Sequence, residues 1–162
     1  MVGSARRRQH NGAVDVTASL EAAVQPDELF EVVGDLGTYP RWLDIVPRAE
    51  PLAADVADPG PAWSVDLRGQ LGPLRRSKRL RMVRTAALPG ELVTFERREL
   101  DGRTHSDWVL RARIAAAGEA ASVLTMELHY GGSMWMPMLD RLLADEIERS
   151  RGRLLDVLGV AR

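Results

Sequence analysis

The C-terminal end of the chain constrains its fold most. In residues 134–158, Met138, Leu139, Leu142, Leu143, Ile147, Leu154, Leu155 and Leu158 recur at helical spacing. Asp140, Arg141, Asp145, Glu148, Arg149, Arg153 and Asp156 fill the opposite face. This is one amphipathic helix, roughly 30 Å long at the helical rise. Almost everything from Val46 to Tyr130 instead has a period of two, the signature of strands. A single long helix that follows a run of strands has to lay its apolar stripe across the sheet. A curved sheet gripping one helix leaves room for a hollow between the two, and the function is expected there.

The strands can be read one by one. Residues 13–20 alternate, with Val14, Val16, Ala18 and Leu20 on one face. Pro26, with Asp27 and Glu28 behind it, opens a short helix: proline suits the first helical position, and the carboxylates suit the positive end of the dipole. Gly34 and Gly37 end it, and the segment from Tyr39 through Pro40, Arg41 and Trp42 to Leu43 reads as a second short helix or turn. Strands are then predicted at 46–53, 62–69, 74–84, 91–100, 104–116 and 121–130. The turns between them fall at Asp58-Pro59-Gly60-Pro61, Gly72-Pro73, Leu88-Pro89-Gly90, Asp101-Gly102 and Gly118. Asp101-Gly102 is a strong hairpin signal. Such short connections make the sheet antiparallel. Met134, Trp135 and Met136, just before Pro137, form a soft apolar patch that reads as a plug anchoring the start of the last helix.

Composition narrows the function. The 162 residues suit one domain, and 45% apolar with 28% charged residues is ordinary globular composition. A net charge of -1 gives no general pull towards nucleic acid or anionic membrane. The absence of cysteine excludes disulfides, thiolate catalysis and cysteine-ligated metals, and allows a reducing compartment. Arg6, Arg7 and Arg8 are followed by Gln9, His10, Asn11 and Gly12 rather than by an apolar core, which speaks against a signal peptide. Residues 1–12 are expected to be a flexible tail, and residues 13–162 a single domain. Lys78 is the only lysine, so it is the sole candidate for Schiff-base chemistry.

The order strand, two short helices, about six strands, long helix resembles the START/Bet v 1-like (SRPBCC) superfamily, in particular bacterial polyketide cyclase/dehydrase-like proteins. The likeness rests on residues 14–20, on the segment from Pro26 to Val33, on Tyr39-Pro40-Arg41-Trp42, and on the closing helix after Gly131-Gly132. It covers residues 13–159. It implies an α+β helix-grip fold: a curved seven-stranded antiparallel sheet around the long C-terminal helix, with two short helices after the first strand. It also implies an apolar cavity between sheet and helix.

Strand alternation selects the side chains that face such a cavity. The ligand-binding candidates are Trp42, Trp63, Leu67, Lys78, Met82, Phe95, Arg97, Trp108, Met126, Tyr130, Leu139 and Leu143. Arg97 and Tyr130, near Trp108, are the catalytic candidates. An arginine can hold a carboxylate or enolate oxygen, and a tyrosine can position a carbonyl. By parity His105 and His129 face solvent, and His10 belongs to the tail. No histidine–carboxylate cluster has metal spacing, so neither metal nor organic cofactor is expected. The basic strand with Arg75, Arg76, Lys78, Arg79, Arg81 and Arg84 lacks interleaved aromatics, so charge pairing with Asp66, Glu91, Glu96 and Glu99 is favoured over nucleic-acid binding.

Three functions are compatible with this reading. The first is binding of a small hydrophobic or amphipathic ligand of lipid, polyketide or isoprenoid type. The second is a polyketide cyclase/dehydratase (aromatase) acting on a polyketone. The third is a protein-interaction module with no ligand cavity. The expected setting is a cytoplasmic monomer or homodimer without stable membrane insertion.

Overall fold

The computed structural model describes the backbone of residues 6–10, 13–71, 74–132 and 136–161, and the side chains of residues 15–69, 77–132 and 145–161. The described residues form eight strands: β1 Arg6–His10, β2 Ala13–Ala22, β3 Arg48–Leu52, β4 Ala62–Leu71, β5 Leu74–Leu88, β6 Leu92–Arg97, β7 Trp108–Ala116 and β8 Ser122–Tyr130. They form one antiparallel sheet in the order β1-β2-β8-β7-β6-β5-β4-β3. The first long strand thus pairs with the last, and the remaining strands follow as a meander. The helices are α1 Pro26–Val33, a 3-10 turn Leu36–Arg41, and α2 Met136–Val157. The seven expected strands, the two short helices and the closing helix are all observed. An eighth strand is added at one edge, where Arg6–His10 pairs with β2 although residues 1–12 were expected as a tail.

Local chemistry accounts for the short helices. In α1 the Glu28 carboxylate accepts from the backbone N–H of Gln25 at 2.9 Å, closing a capping box ahead of Pro26. At the other end Arg84 donates to the carbonyl of Gly34 at 3.1 Å, satisfying one of the acceptors a helix leaves open. The Asp35 carboxylate accepts from the N–H of Gly37 at 2.8 Å and starts the 3-10 turn. Leu29 and Val33 of α1 are fully buried, as is Tyr39, whose hydroxyl donates to the Val33 carbonyl at 2.8 Å. These bonds clamp both short helices over one end of the sheet.

Two connections differ from the sequence expectation. Asp101-Gly102 does not make a tight hairpin: β6 ends at Arg97 and β7 begins at Trp108, so residues 98–107 form a loop. Gly102 does take the left-handed conformation the signal requires (φ +71°), but within that loop. The cause is a charged core to the loop, built around Arg97 as described below. The strand expected at 46–53 is limited to Arg48–Leu52, because the backbone of Val46 is used in a turn with Leu43.

Candidate functional site

Unbroken registers fix which strand residues face inward. Val16, Leu128 and Leu110 lie side by side across β2, β8 and β7; Ala18 and Met126, then Leu20 and Leu124, form the next rows. On the far side, Val65 pairs with Leu80, Trp63 with Met82 and Leu67 with Lys78. Because successive strand residues point to opposite faces, these rows share the concave side. The helix α2 presents Glu146, Ile147, Ser150, Arg151 and Leu154 to the same space, residues three and four apart on one helical face. The 3-10 turn and the segment after it close the end with Leu36, Tyr39, Trp42, Leu43, Ile45 and Val46. Together they line a partly open hollow of about 130 Å³.

Its lining is overwhelmingly apolar, and its polar members are tied up by their neighbours. The buried Glu146 carboxylate accepts from the backbone N–H of Asp44 at 2.6 Å and from Arg149 at 3.1 Å. Arg153 bridges Glu146 and Asp44, and its guanidinium holds the Asp44 carboxyl below the usual carboxylate range. Ser150 donates to the Ile147 carbonyl at 2.8 Å, and Arg151 donates to the carbonyl of Ser19 on β2. By contrast, the indole N–H groups of Trp42 and Trp108 are buried without an acceptor, an arrangement uncommon in folded proteins.

The candidates read from the sequence separate into groups. Trp42, Leu67, Met82, Trp108 and Met126 line the hollow. Trp63, Phe95 and Tyr130 are buried next to it but do not line it. Phe95 stands edge-on to Trp63 at 5.6 Å and to Tyr39 at 6.2 Å, so it serves packing. Tyr130 lies against Trp108, ring centres 4.6 Å apart, and its hydroxyl is covered by Gly132, where a Cβ would fall 1.9 Å from the oxygen. The side chains of Leu139 and Leu143, like the plug at Met134 and Trp135, lie outside the described residues.

Arg97 is inward by register, opposite Met82, yet its guanidinium is consumed by the 98–107 loop. Nε donates to Glu99 at 2.8 Å, Nη1 to the carbonyl of Ser106 at 3.4 Å, and Nη2 contacts Nδ1 of His105 at 3.2 Å. Since guanidinium only donates, Nδ1 of His105 is the acceptor and its Nε2 carries the proton given to Asp101 at 2.8 Å. Arg97 is therefore the organising centre of a loop and not an open anion site. Lys78 is exposed at the end of the inward row. Desolvation first, then the Arg97 charge, lower its pKa.

The outer face is occupied by charge pairs. His129 bonds Asp15 at 2.7 Å, Arg79 bonds Asp66 at 2.7 Å, and Glu127 lies 3.5 Å from both Arg111 and Arg113. No register shift reverses β8, so Glu127 and His129 stay outside. Sequence reasoning missed Glu146, Ser150 and Arg151. The signal was available, since Glu146 and Ser150 fall on the same helical stripe as Leu143, Ile147 and Leu154. Leu43 and Ile45 carried no periodic signal, and Val46 was read only as the start of a strand.

An open antiparallel sheet that wraps a C-terminal helix around an apolar hollow defines a helix-grip domain. The chain belongs to the family described as polyketide cyclase / dehydrase and lipid transport, whose model matches residues 13–159. No curated protein matches its sequence closely enough to count as a relative. Among solved structures, a START superfamily protein from Mycobacterium smegmatis is 17% identical, with 90% of this chain and 97% of that one covered, at a TM-score of 0.67. The Zhui aromatase/cyclase from Streptomyces sp. R1128 is 15% identical, with 91% and 92% covered, at 0.56. At such identities the likeness extends to the fold. Among the described residues, no helix is long and apolar enough to cross a membrane.

Proposed function

We propose that this protein binds a small hydrophobic or amphipathic molecule between the sheet and α2. The observation that carries this reading is the hollow itself. Hydrophobic side chains from five strands, the 3-10 turn and α2 surround it, and the few polar groups among them are mostly held by their own partners. A core that merely filled itself would interdigitate without such a space. A space of about 130 Å³ exceeds what a single water needs and falls below the range of drug-sized sites. The ligand that fits is a small ring system, and a longer chain requires the Leu43–Val46 wall to move outward.

Binding is favoured over cyclase chemistry because both catalytic candidates are engaged elsewhere: Arg97 holds a loop and Tyr130 is covered by Gly132. The test starts with native mass spectrometry of the purified protein and organic extraction of any bound molecule. Naphthalene is then titrated into the emptied protein, with Trp42 and Trp108 fluorescence as the readout. Saturable one-to-one binding is expected, weakened about tenfold or more by Ala18→Leu, which fills the hollow. A protein that carries nothing and shows no saturable change would sink the reading and favour an interaction module. Turnover of a polyketone that Arg97→Ala abolishes without loss of affinity would restore the cyclase.

A further inference from the structure

Lys78 is the chain's one lysine, and the binding reading leaves it without a role. It stands opposite Leu67 and two residues before Leu80, both of which line the hollow. The β4–β5 register runs unbroken from Leu71 against Leu74 to Ala62 against Val83, so Lys78 shares the inward face with Leu80 and Met82. The register therefore places this exposed residue at the rim, one step beyond Leu67 and Leu80, where the apolar lining ends. Among the described residues it has no ion pair or hydrogen bond of its own.

The charged groups that face it are Arg97 of β6 and Glu99 of the 98–107 loop. Arg97 cannot swing away, because its guanidinium is held at once by Glu99, His105 and the Ser106 carbonyl, and its side chain is only 6% exposed. Glu99 is shared, since its Oε1 accepts from Arg97 Nε at 2.8 Å and from the Arg81 N–H at 3.2 Å, and its charge opposes that of Arg97 at Lys78. The lysine thus meets a fixed cation and a carboxylate that it shares with Arg97 and Arg81. A neighbouring cation and loss of water are the two conditions that raise the share of neutral, nucleophilic amine. Both act here and lower the Lys78 pKa, desolvation first, against a smaller opposing pull from the Glu99 charge.

We infer that Lys78 is a carbonyl-capturing amine at the rim of the hollow, forming a reversible imine with an aldehyde or ketone whose apolar body sits inside. The nitrogen lone pair attacks the carbonyl carbon and a C–N bond forms. The carbonyl π electrons move to oxygen, which gains the proton that nitrogen loses. The carbinolamine then expels water as the C–O bond breaks, leaving C=N. One water is released, and no oxidant or reductant is needed. This inference rests on the binding reading and narrows its ligand to carbonyl compounds with an apolar body.

The sequence makes the test clean, since Lys78 carries the only side-chain primary amine of these 162 residues, and peptide mapping separates its adduct from one on an N-terminal α-amine. The protein is treated at pH 7 with 2-naphthaldehyde or glyceraldehyde and sodium cyanoborohydride, which reduces the imine to a stable amine. Sites are mapped by peptide mass spectrometry. Each rate is divided by that of the same protein in denaturant, which removes differences between the aldehydes. The expected result is a several-fold enhancement at Lys78 for naphthaldehyde, absent for glyceraldehyde and suppressed by added naphthalene. In Lys78→Arg the adduct is confined to the N-terminus. A ratio of one for naphthaldehyde overturns the inference, and saturable naphthalene binding in the same sample then leaves the binding reading standing. Equal enhancement for both aldehydes overturns it too, since the hollow would have no part. Failure of naphthalene both to bind and to compete removes both readings together.

Discussion

At the scale of single residues, the tightest constraint is Gly132 over Tyr130. The phenol lies so close to the glycine that an added Cβ would fall 1.9 Å from its oxygen and 2.2 Å from Cζ. A ring that is 2% exposed and leans on Trp108 has nowhere to retreat. Gly132→Ala is therefore expected to cost about 1–3 kcal/mol, the usual range for overpacking. Gly131 is the matched control: a Cβ there meets Asp107 at 3.4 Å, an ordinary contact. Gly131→Ala is expected to cost well under half as much. Thermal melts of the two variants check this, and equal losses would show that the hydroxyl is not the obstacle. Tyr130→Phe, by itself, should be close to neutral in the melt, because the hydroxyl makes no hydrogen bond among the described residues. The same residues show what sequence could and could not reveal. Alternation on β8 put Tyr130 and Met126 on the inner face, and the observed register agrees. Alternation could not tell that one lines a hollow while the other is capped by backbone, because that depends on a glycine two residues beyond the strand.

At the scale of elements, the order of strands and helices was legible because each carried its own periodicity or its own punctuation. Pro26 with Glu28, the glycines Gly34 and Gly37 after the first helix, and the 3.6-residue stripe of α2 are local signals acting within a few residues. What stayed hidden were the bonds between elements. The Asp101-Gly102 turn signal was overridden by Arg97, which collects Glu99, Ser106 and His105 from residues 98–107 and so keeps the loop open. The Glu146 contact with Asp44 links positions 102 apart in sequence, and no window sees that far. That contact joins α2 to the wall of the hollow, so it is expected to govern exchange of a bound molecule. Glu146→Ala leaves the Asp44 N–H and Arg149 without their acceptor and Arg153 with Asp44 alone, a loss of about 1–3 kcal/mol. Glu146→Gln keeps an oxygen for the N–H and should lose less. Stopped-flow release of naphthalene should quicken in Glu146→Ala, with faster amide exchange at Asp44. Unchanged release with lowered stability would confine Glu146 to a structural role.

At the scale of the whole molecule, arginine–carboxylate pairs set how stability depends on pH. Asp58, Asp44 and Asp66 each have a lowered pKa, chiefly through hydrogen bonds from Arg81, Arg153 and Arg79 respectively. A carboxylate depressed in the folded state contributes stability that is present above its unfolded pKa. That stability fades as pH falls through the folded value. The acid limb should therefore begin near pH 4, the ordinary carboxylate range, and extend below it. The three pairs are not equal. Asp66 meets Arg79 on the open sheet face, where the arginine side chain is 65% exposed, and solvent screens the pair. Asp58 meets Arg81 where both side chains are under 10% exposed. The same guanidinium donates to the carbonyl of Arg98 at 3.1 Å, so it ties the turn before β4 to the start of the 98–107 loop. Asp58→Asn is thus expected to lower stability clearly at pH 7 and to flatten the acid limb, whereas Asp66→Asn shifts both only slightly. Urea denaturation from pH 3 to pH 7 on the three proteins measures this directly. Should Asp58→Asn run parallel to the unmodified protein across the range, the acid sensitivity would have to come from the surface pairs, and it would then weaken with added salt. Within a few hundred millimolar salt the surface pairs are largely screened, while the Asp58–Arg81 contribution persists, so repeating the series in salt separates the two sources.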